Sequence, residues 1–339
     1  MDSSFRQPRA HVRMVLATPV VGEGGAEALE NANIMADILR KALAQRTYDA
    51  GLAGLGWKVG VHSCGFVVQV SGFSQKISLL LDQVLEAFLD PEAAAGGSEE
   101  FAKQFSLAKE RAMMRTKSWV MSRPDDVGHY YNTKALRLSN DAFPDPGRMK
   151  AAEAATLEGC LSLHKEALSR VLPVGLVYGN ASPEDARVIW NKMMGRLDAA
   201  GCRSLPEEAY PRSLVGVLPA GKRVNLRVDV PNKHEENSAA VAYWQLGKRD
   251  EQKSATLLVL SQMMREPCFT ELRTKQQVGY IVASGTHHYG RGSRQLGFSV
   301  YALSKTLGPD EICKRVDAFL PQFRQIVTNM PQEGVRTPK

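Results

Sequence analysis

Seven histidines and five cysteines are the residues of this 339-residue chain best suited to holding a metal, so their spacing is tested first. In HExxH, or in the reversed HxxEH, two histidines four apart put both imidazoles on one helix face, with a glutamate beside the ion they share. His11, His62, His129 and His164 have no such partners. His234 is followed by Glu235 and Glu236, but residue 238 is Ser. His287 and His288 are adjacent on an expected strand, where successive side chains point to opposite faces. No metal is therefore expected in this chain. Cys64, Cys160, Cys202, Cys268 and Cys313 are odd in number, widely spaced and never in a CxxC. They read as reduced thiols in a cytosol-like compartment, neither a disulfide framework nor a zinc ribbon. Cys160 and Cys268 read as buried small apolar residues rather than nucleophiles. GxSxG and GxxxxGK[ST] do not occur, Gly290-Arg291-Gly292 is a short turn, and the sequon Asn180-Ala-Ser182 is discounted because Pro183 follows it.

Composition excludes several classes. Apolar residues are 44% and charged residues 23%, as in ordinary globular proteins, so disorder, collagen and coiled coil do not describe the chain. No run approaches the roughly 18 apolar residues of a membrane helix. The apolar stretch Met14–Val21 is short, holds Thr18 and Pro19 and lacks a cleavage-type ending, so no secretory leader is expected. The net charge of +7 is carried by residues 201–339, whereas residues 1–200 balance. These charges are scattered without a Lys/Arg block, so nucleic acid is not an expected partner, and neither is a membrane. The expected location is the cytosol. Arginines near the start keep a mitochondrial address as the alternative, against which Asp2 argues.

The elements that must position any site follow from periodicity. A strand is expected over 11–18, a helix over 29–43, and a hairpin over 58–73 around Ser63-Cys64-Gly65. Helices follow over 77–89 and 99–121, with Pro124 ending the latter and Asp125 capping a further helix towards Leu138. A helix over 157–171, a strand over 174–179 and a helix from Pro183 to Leu197 complete a first cycle. Pro- and Gly-rich residues 206–221 read as a linker. The second cycle has strands over 223–230 and 239–246, a helix over 253–264, strands over 280–285 and 295–303, and a helix over 309–327.

The expected fold class is α+β, in two repeated domains, each a largely antiparallel sheet with helices packed on one face. The domains are residues 1–205 and residues 222–339. The second stops early, and the tail from Met330 to Lys339 looks like an open end, as in a truncated domain. Composition and spacing alone reach a two-domain α+β protein without an independent catalytic centre.

Residues 266–285 read Glu-Pro-Cys-Phe-Thr-Glu-Leu-Arg-Thr-Lys-Gln-Gln-Val-Gly-Tyr-Ile-Val-Ala-Ser-Gly. This closely resembles the C-terminal half of the insulysin–pitrilysin family of inverted-motif zinc peptidases, in which a helix carrying Pro-x-Phe-x-x-Leu-Arg-Thr-x-x-Gln-x-Gly-Tyr leads into a strand. Tyr48-Asp-Ala-Gly-Leu-Ala-Gly-Leu55, Val70-Ser-Gly-Phe-Ser74 and Leu176-Val-Tyr-Gly-Asn180 fall in the family's order too. The resemblance spans roughly residues 10–325, and aligns the chain with the family's third domain and the first part of its fourth.

The resemblance implies repeated α+β domains of the processing-peptidase type, two halves enclosing a peptide-degrading chamber, and zinc bound by HxxEH in an N-terminal half that this chain lacks. It implies that Arg273 and Tyr280 reach the substrate in the transition state and that Phe269 lines a side-chain pocket. Gly279, in the left-handed conformation, is expected to end the helix so that Tyr280 opens the next strand. Arg273 offers a planar fork of donors, and the Tyr280 hydroxyl is suited to a developing oxyanion. Read without the motif, Arg273 is a surface ion pair, and Phe269 and Tyr280 are core. The expected function is the substrate-binding, zinc-free half of an insulysin-like metalloendopeptidase, inactive alone. Its partners are peptides, a zinc-bearing half or homologous subunit, and a second copy of itself. The alternative is a non-catalytic subunit or scaffold that pairs with a separate zinc-bearing chain, or a stand-alone peptide-binding module.

Overall fold

The computed structural model describes residues 7–62, 64–136, 146–210, 215–289 and 295–330. Ser63 of the expected hairpin turn, the Gly290-Arg291-Gly292 turn, Asp2 and the tail after Met330 lie outside them. In chain order the elements are β1 (Arg9–Ala17), α1 (Pro19–Gly22), α2 (Gly25–Arg46), α3 (Tyr48–Leu52), β2 (Gly56–His62), β3 (Gly65–Phe73) and α4 (Ser74–Leu89). Then come α5 (Pro91–Ala95), α6 (Ser98–Lys117), α7 (Pro124–Leu136), α8 (Pro146–Ala154), α9 (Leu157–Ser169), β4 (Leu172–Gly179) and α10 (Pro183–Ala199). Last are β5 (Ser238–Lys248), α11 (Glu251–Cys268), β6 (Ile281–Tyr289), β7 (Gln295–Ser304) and α12 (Pro309–Thr328). The α+β class with antiparallel sheets is what the periodicities predict. The chain forms two compact units, residues 1–118 with 140–212, and residues 119–139 with 213–339. The sequence reading keeps α7 with the residues before 205; in the structure it belongs to the second unit.

In the first unit the sheet order is β2-β3-β1-β4, antiparallel throughout. Alternation sends Ala10, Val12, Met14 and Leu16 of β1 into the core, beside Phe66, Val68 and Val70 of β3. His11 points the other way and stacks on Tyr178, ring centroids 4.6 Å apart. Helix α2 is buried on most of its surface, from Ala28 to Leu43, so its apolar residues exceed a single stripe. Its Glu30 is fully buried and pairs with Arg148 and with Arg115 at 3.6 Å. A buried carboxylate needs such partners.

In the second unit the sheet order is β5-β7-β6, again antiparallel. Leu296, Phe298, Val300 and Ala302 of β7 face Leu257, Met264, Ile312, Val316, Phe319 and Phe323 of α11 and α12. The opposite face is also covered, unlike the one-sided packing expected: α7 lies across β5 and β7. A Cβ on Gly128 would come within 2.9 Å of Val241, and His129 meets Tyr301 edge-on at 4.6 Å. Val241, Tyr243 and Tyr301 make that face too apolar to leave in water.

The strand expected over 223–230 does not form. Val224, Leu226 and Val228 alternate as predicted but are 62, 55 and 42% exposed, and residues 222–230 join no ladder. A strand exists only through the neighbour that takes its hydrogen bonds, and none is present among the described residues.

Candidate functional site

Helix α11 starts at Asp250, whose side chain accepts from the Lys253 N–H. Leu257, Met264 and Cys268, with Leu272 in the turn beyond its end, are the buried apolar positions that pin it to the sheet. Pro267 lies inside the helix. It has no N–H to give the carbonyl four residues back, and its ring crowds that carbonyl. Two residues later the coil widens into a π-helical turn, Phe269–Lys275, a local geometry frequent at functional sites. The turn exposes what the buried positions leave over. Phe269 is 42% exposed, and the Arg273 guanidinium carbon sits 4.8 Å from its ring centroid, a cation–π contact. Among the described residues Arg273 pairs with no carboxylate.

The turn closes differently from the sequence expectation. The left-handed residue is Gln277, at φ +50°, not Gly279. Val278 then donates to the Leu272 carbonyl at 2.9 Å and is itself fully buried. Gly279 is required for another reason: a Cβ there would lie 2.0 Å from the Leu303 carbonyl oxygen of β7. Tyr280 follows, 51% exposed, one residue before β6 begins.

A polar network, which motif reading missed, steadies the turn. Gln276 Nε2 donates to Glu271 Oε1 at 3.0 Å, Lys275 pairs with Glu271 at 3.1 Å, and the Arg315 guanidinium reaches Gln276 Oε1 at 3.4 Å. The Gln276 hydrogen bond and the Lys275 charge hold the Glu271 carboxyl below its ordinary range. Pro267 is the signal in the sequence that marks the π turn; the network has none, because Arg315 is 39 residues from Gln276.

The structure thus brings Phe269 and Arg273 together and sets Tyr280 beyond the turn, without a hydrogen bond or ring contact to either among the described residues. All three side chains present donors or apolar surface to solvent, the equipment for holding a peptide. Zinc does not fit here. Among the described residues no three His, Cys, Asp or Glu side chains are grouped to hold an ion. His287 Nε2 lies 2.6 Å from Ser299 Oγ, and His288 is on the other face of β6. No helix among the described residues is long and apolar enough to cross a membrane.

The repeated sheet-and-helix units and this helix–turn–strand define an M16 peptidase fold, and the chain belongs to the M16 peptidase family. Residues 1–144 match its middle or third domain and residues 155–337 match the "Peptidase M16 inactive domain". Insulin-degrading enzyme of Drosophila melanogaster is 27% identical over 332 residues, covering 97% of this chain and 32% of that protein. Human nardilysin is 25% identical over 338 residues, covering 99% of this chain and 28% of that protein. The crystal structure of pitrilysin superposes with a TM-score of 0.76 at 19% identity, over 98% of this chain and 33% of that one. The chain thus spans about a third of the length of the curated relatives it matches.

Proposed function

We propose that this chain is the substrate-binding, zinc-free half of an insulysin-type metalloendopeptidase, and that it is silent by itself. The reading is carried by the Phe269–Arg273 pair, exposed on the π turn with no carboxylate among the described residues to occupy the guanidinium. Phe269 seats an apolar side chain of the peptide, and Arg273 forks onto its carbonyl or carboxylate groups. The Tyr280 hydroxyl donates to the oxygen that becomes negative in the transition state. When zinc is bound in the HxxEH half, it polarises the scissile carbonyl and lowers the pKa of its water. The partner is accordingly a zinc-bearing half or subunit. Cytosolic residence is part of the reading, supported by five cysteines that form no disulfide.

Cleavage of a quenched fluorescent peptide tests it, with the purified chain alone and then mixed with a zinc-bearing HxxEH half. The chain alone is expected to give no turnover, and the mixture chelator-sensitive turnover. Tyr280→Phe then lowers kcat by about 100-fold, the loss typical of one oxyanion donor, and Arg273→Ala raises KM. Turnover by the isolated chain that survives further purification overturns the reading. Restored activity indifferent to both substitutions would favour a scaffold subunit.

A further inference from the structure

Helix α7 lies across β5 and β7 of the second unit, on the face of the sheet that α11 and α12 leave open. An imidazole stands on each side of that seam. His129 of α7 is edge-on to the Tyr301 ring of β7 at 4.6 Å, and its ring centroid is 5.8 Å from that of His287 on β6. His287 has Ser299 Oγ of β7 2.6 Å from its Nε2 and the Tyr243 ring of β5 at 6.1 Å. Both histidines are half-buried. Neutral, the two rings extend the aromatic packing between helix and sheet. Charged, they become two cations facing one another where water is partly excluded, so each loses hydration and repels the other.

The surrounding groups do little to offset those charges. On α7, Asp125 and Asp126 precede His129 by one turn, but Arg123 already pairs with them at 2.8 and 3.5 Å. Lys134 turns to the Tyr130 hydroxyl at 3.3 Å. The sheet supplies no carboxylate: β7 has no charged residue, β5 ends in Lys248, and β6 adds His288 beside His287. Burial outweighs the two aspartates and holds His129 below its ordinary 6.5. Burial, then the imidazoles of His129 and His288, hold His287 below it as well. The docked helix therefore takes up protons less readily than a released one. Docking is at full strength above pH 6.5 and weakens as the pH falls.

We propose that His129 and His287 form an acid-released latch, whose protonation frees α7 from the sheet before α11 and α12 let go of the opposite face. The core under α11 and α12 is built from apolar side chains such as Leu257, Val300, Val316 and Phe319, and apolar packing carries no proton to titrate. Release uncovers Val241, Tyr243 and Tyr301, so mild acid converts a covered sheet face into an open one.

Amide hydrogen exchange of the whole chain tests this, with rates corrected for the intrinsic effect of pH and followed in residues 124–136, 251–268 and 309–328. Between about pH 7.5 and about pH 5, protection of residues 124–136 is expected to fall by about tenfold or more, while the other two segments keep theirs. The double substitution His129→Gln and His287→Gln leaves amides in place of imidazoles and is expected to hold the protection of α7 constant over the same range. His129→Gln alone removes one of the two charges and is expected to shrink the loss, which keeps the latch testable if the double variant does not fold. Constant protection in the unsubstituted chain overturns the proposal, and so does an equal loss in all three segments, which is general unfolding. A loss as large in the variants as in the unsubstituted chain also overturns it, assigning the release to Asp125 and Asp126 instead.

Discussion

Three residues show how much a single position decides. Gln277 holds a left-handed φ of +50° that only glycine adopts freely, so Gln277→Gly is expected to stabilise the second unit by about 1 kcal/mol. Gly279→Ala drives a methyl against the Leu303 carbonyl and is expected to destabilise it by about 1–3 kcal/mol or more. Urea unfolding measures both; a neutral Gly279→Ala would mean that β7 yields without cost. His164 is buried, edge-on to Phe66 and Phe88 at 5.8 and 5.2 Å, and burial pushes its pKa from 6.5 down to about 4. The folded state therefore binds this proton less readily than the unfolded chain. The stability it allows is intact above pH 6.5, falls as pH drops towards 4, and is lower by about 3 kcal/mol beneath that. His164→Leu should flatten this slope; an unchanged slope would assign acid sensitivity to other groups.

At the scale of an element, the junction of α11 and β6 shows what a helix end can present. Buried Cys268 and Leu272 fix one side of the coil, so whatever widens it moves only the other side, where Phe269 and Arg273 stand. Pro267→Ala restores the missing N–H and removes the ring from the carbonyl at Met263. The expected result is a more stable protein by about 1 kcal/mol, whose activity with the zinc-bearing half falls as the exposed face rotates. Urea unfolding and the peptide assay read the two effects. A less stable variant with full activity would show that the π turn does not depend on Pro267. Burial at the same junction pushes the Cys268 thiol up to about 11, and the Cys160 thiol of the first unit up to about 12.

For the whole molecule, the path of the chain matters more than any boundary. The chain gives its elements up to α6 to the first unit, α7 to the second, α8 to α10 to the first again, and β5 onward to the second. Val127, Tyr130 and Leu136 of α7 are buried, Leu136 against Tyr243 of β5. A fragment of residues 213–339 thus lacks one cover of its own sheet. It is expected to unfold with weak cooperativity and to regain a sharp transition when a peptide of residues 119–139 is added. Equal cooperativity with and without the peptide would show that α11 and α12 suffice.

Periodicity alone determined most of the helices, the hairpin strands and the α+β class, because alternation and 3.6-residue spacing are local properties that burial reinforces. The motif around Phe269, Arg273 and Tyr280 was equally legible, being contiguous in sequence. The tertiary structure decided what depends on distant neighbours. Residues 223–230 have the pattern of a strand and, among the described residues, no partner to make them one. Gly279 serves a carbonyl on β7 rather than a left-handed turn, and α7 is held by a sheet that begins about a hundred residues later. In each case the deciding atom belongs to a segment that local pattern cannot see.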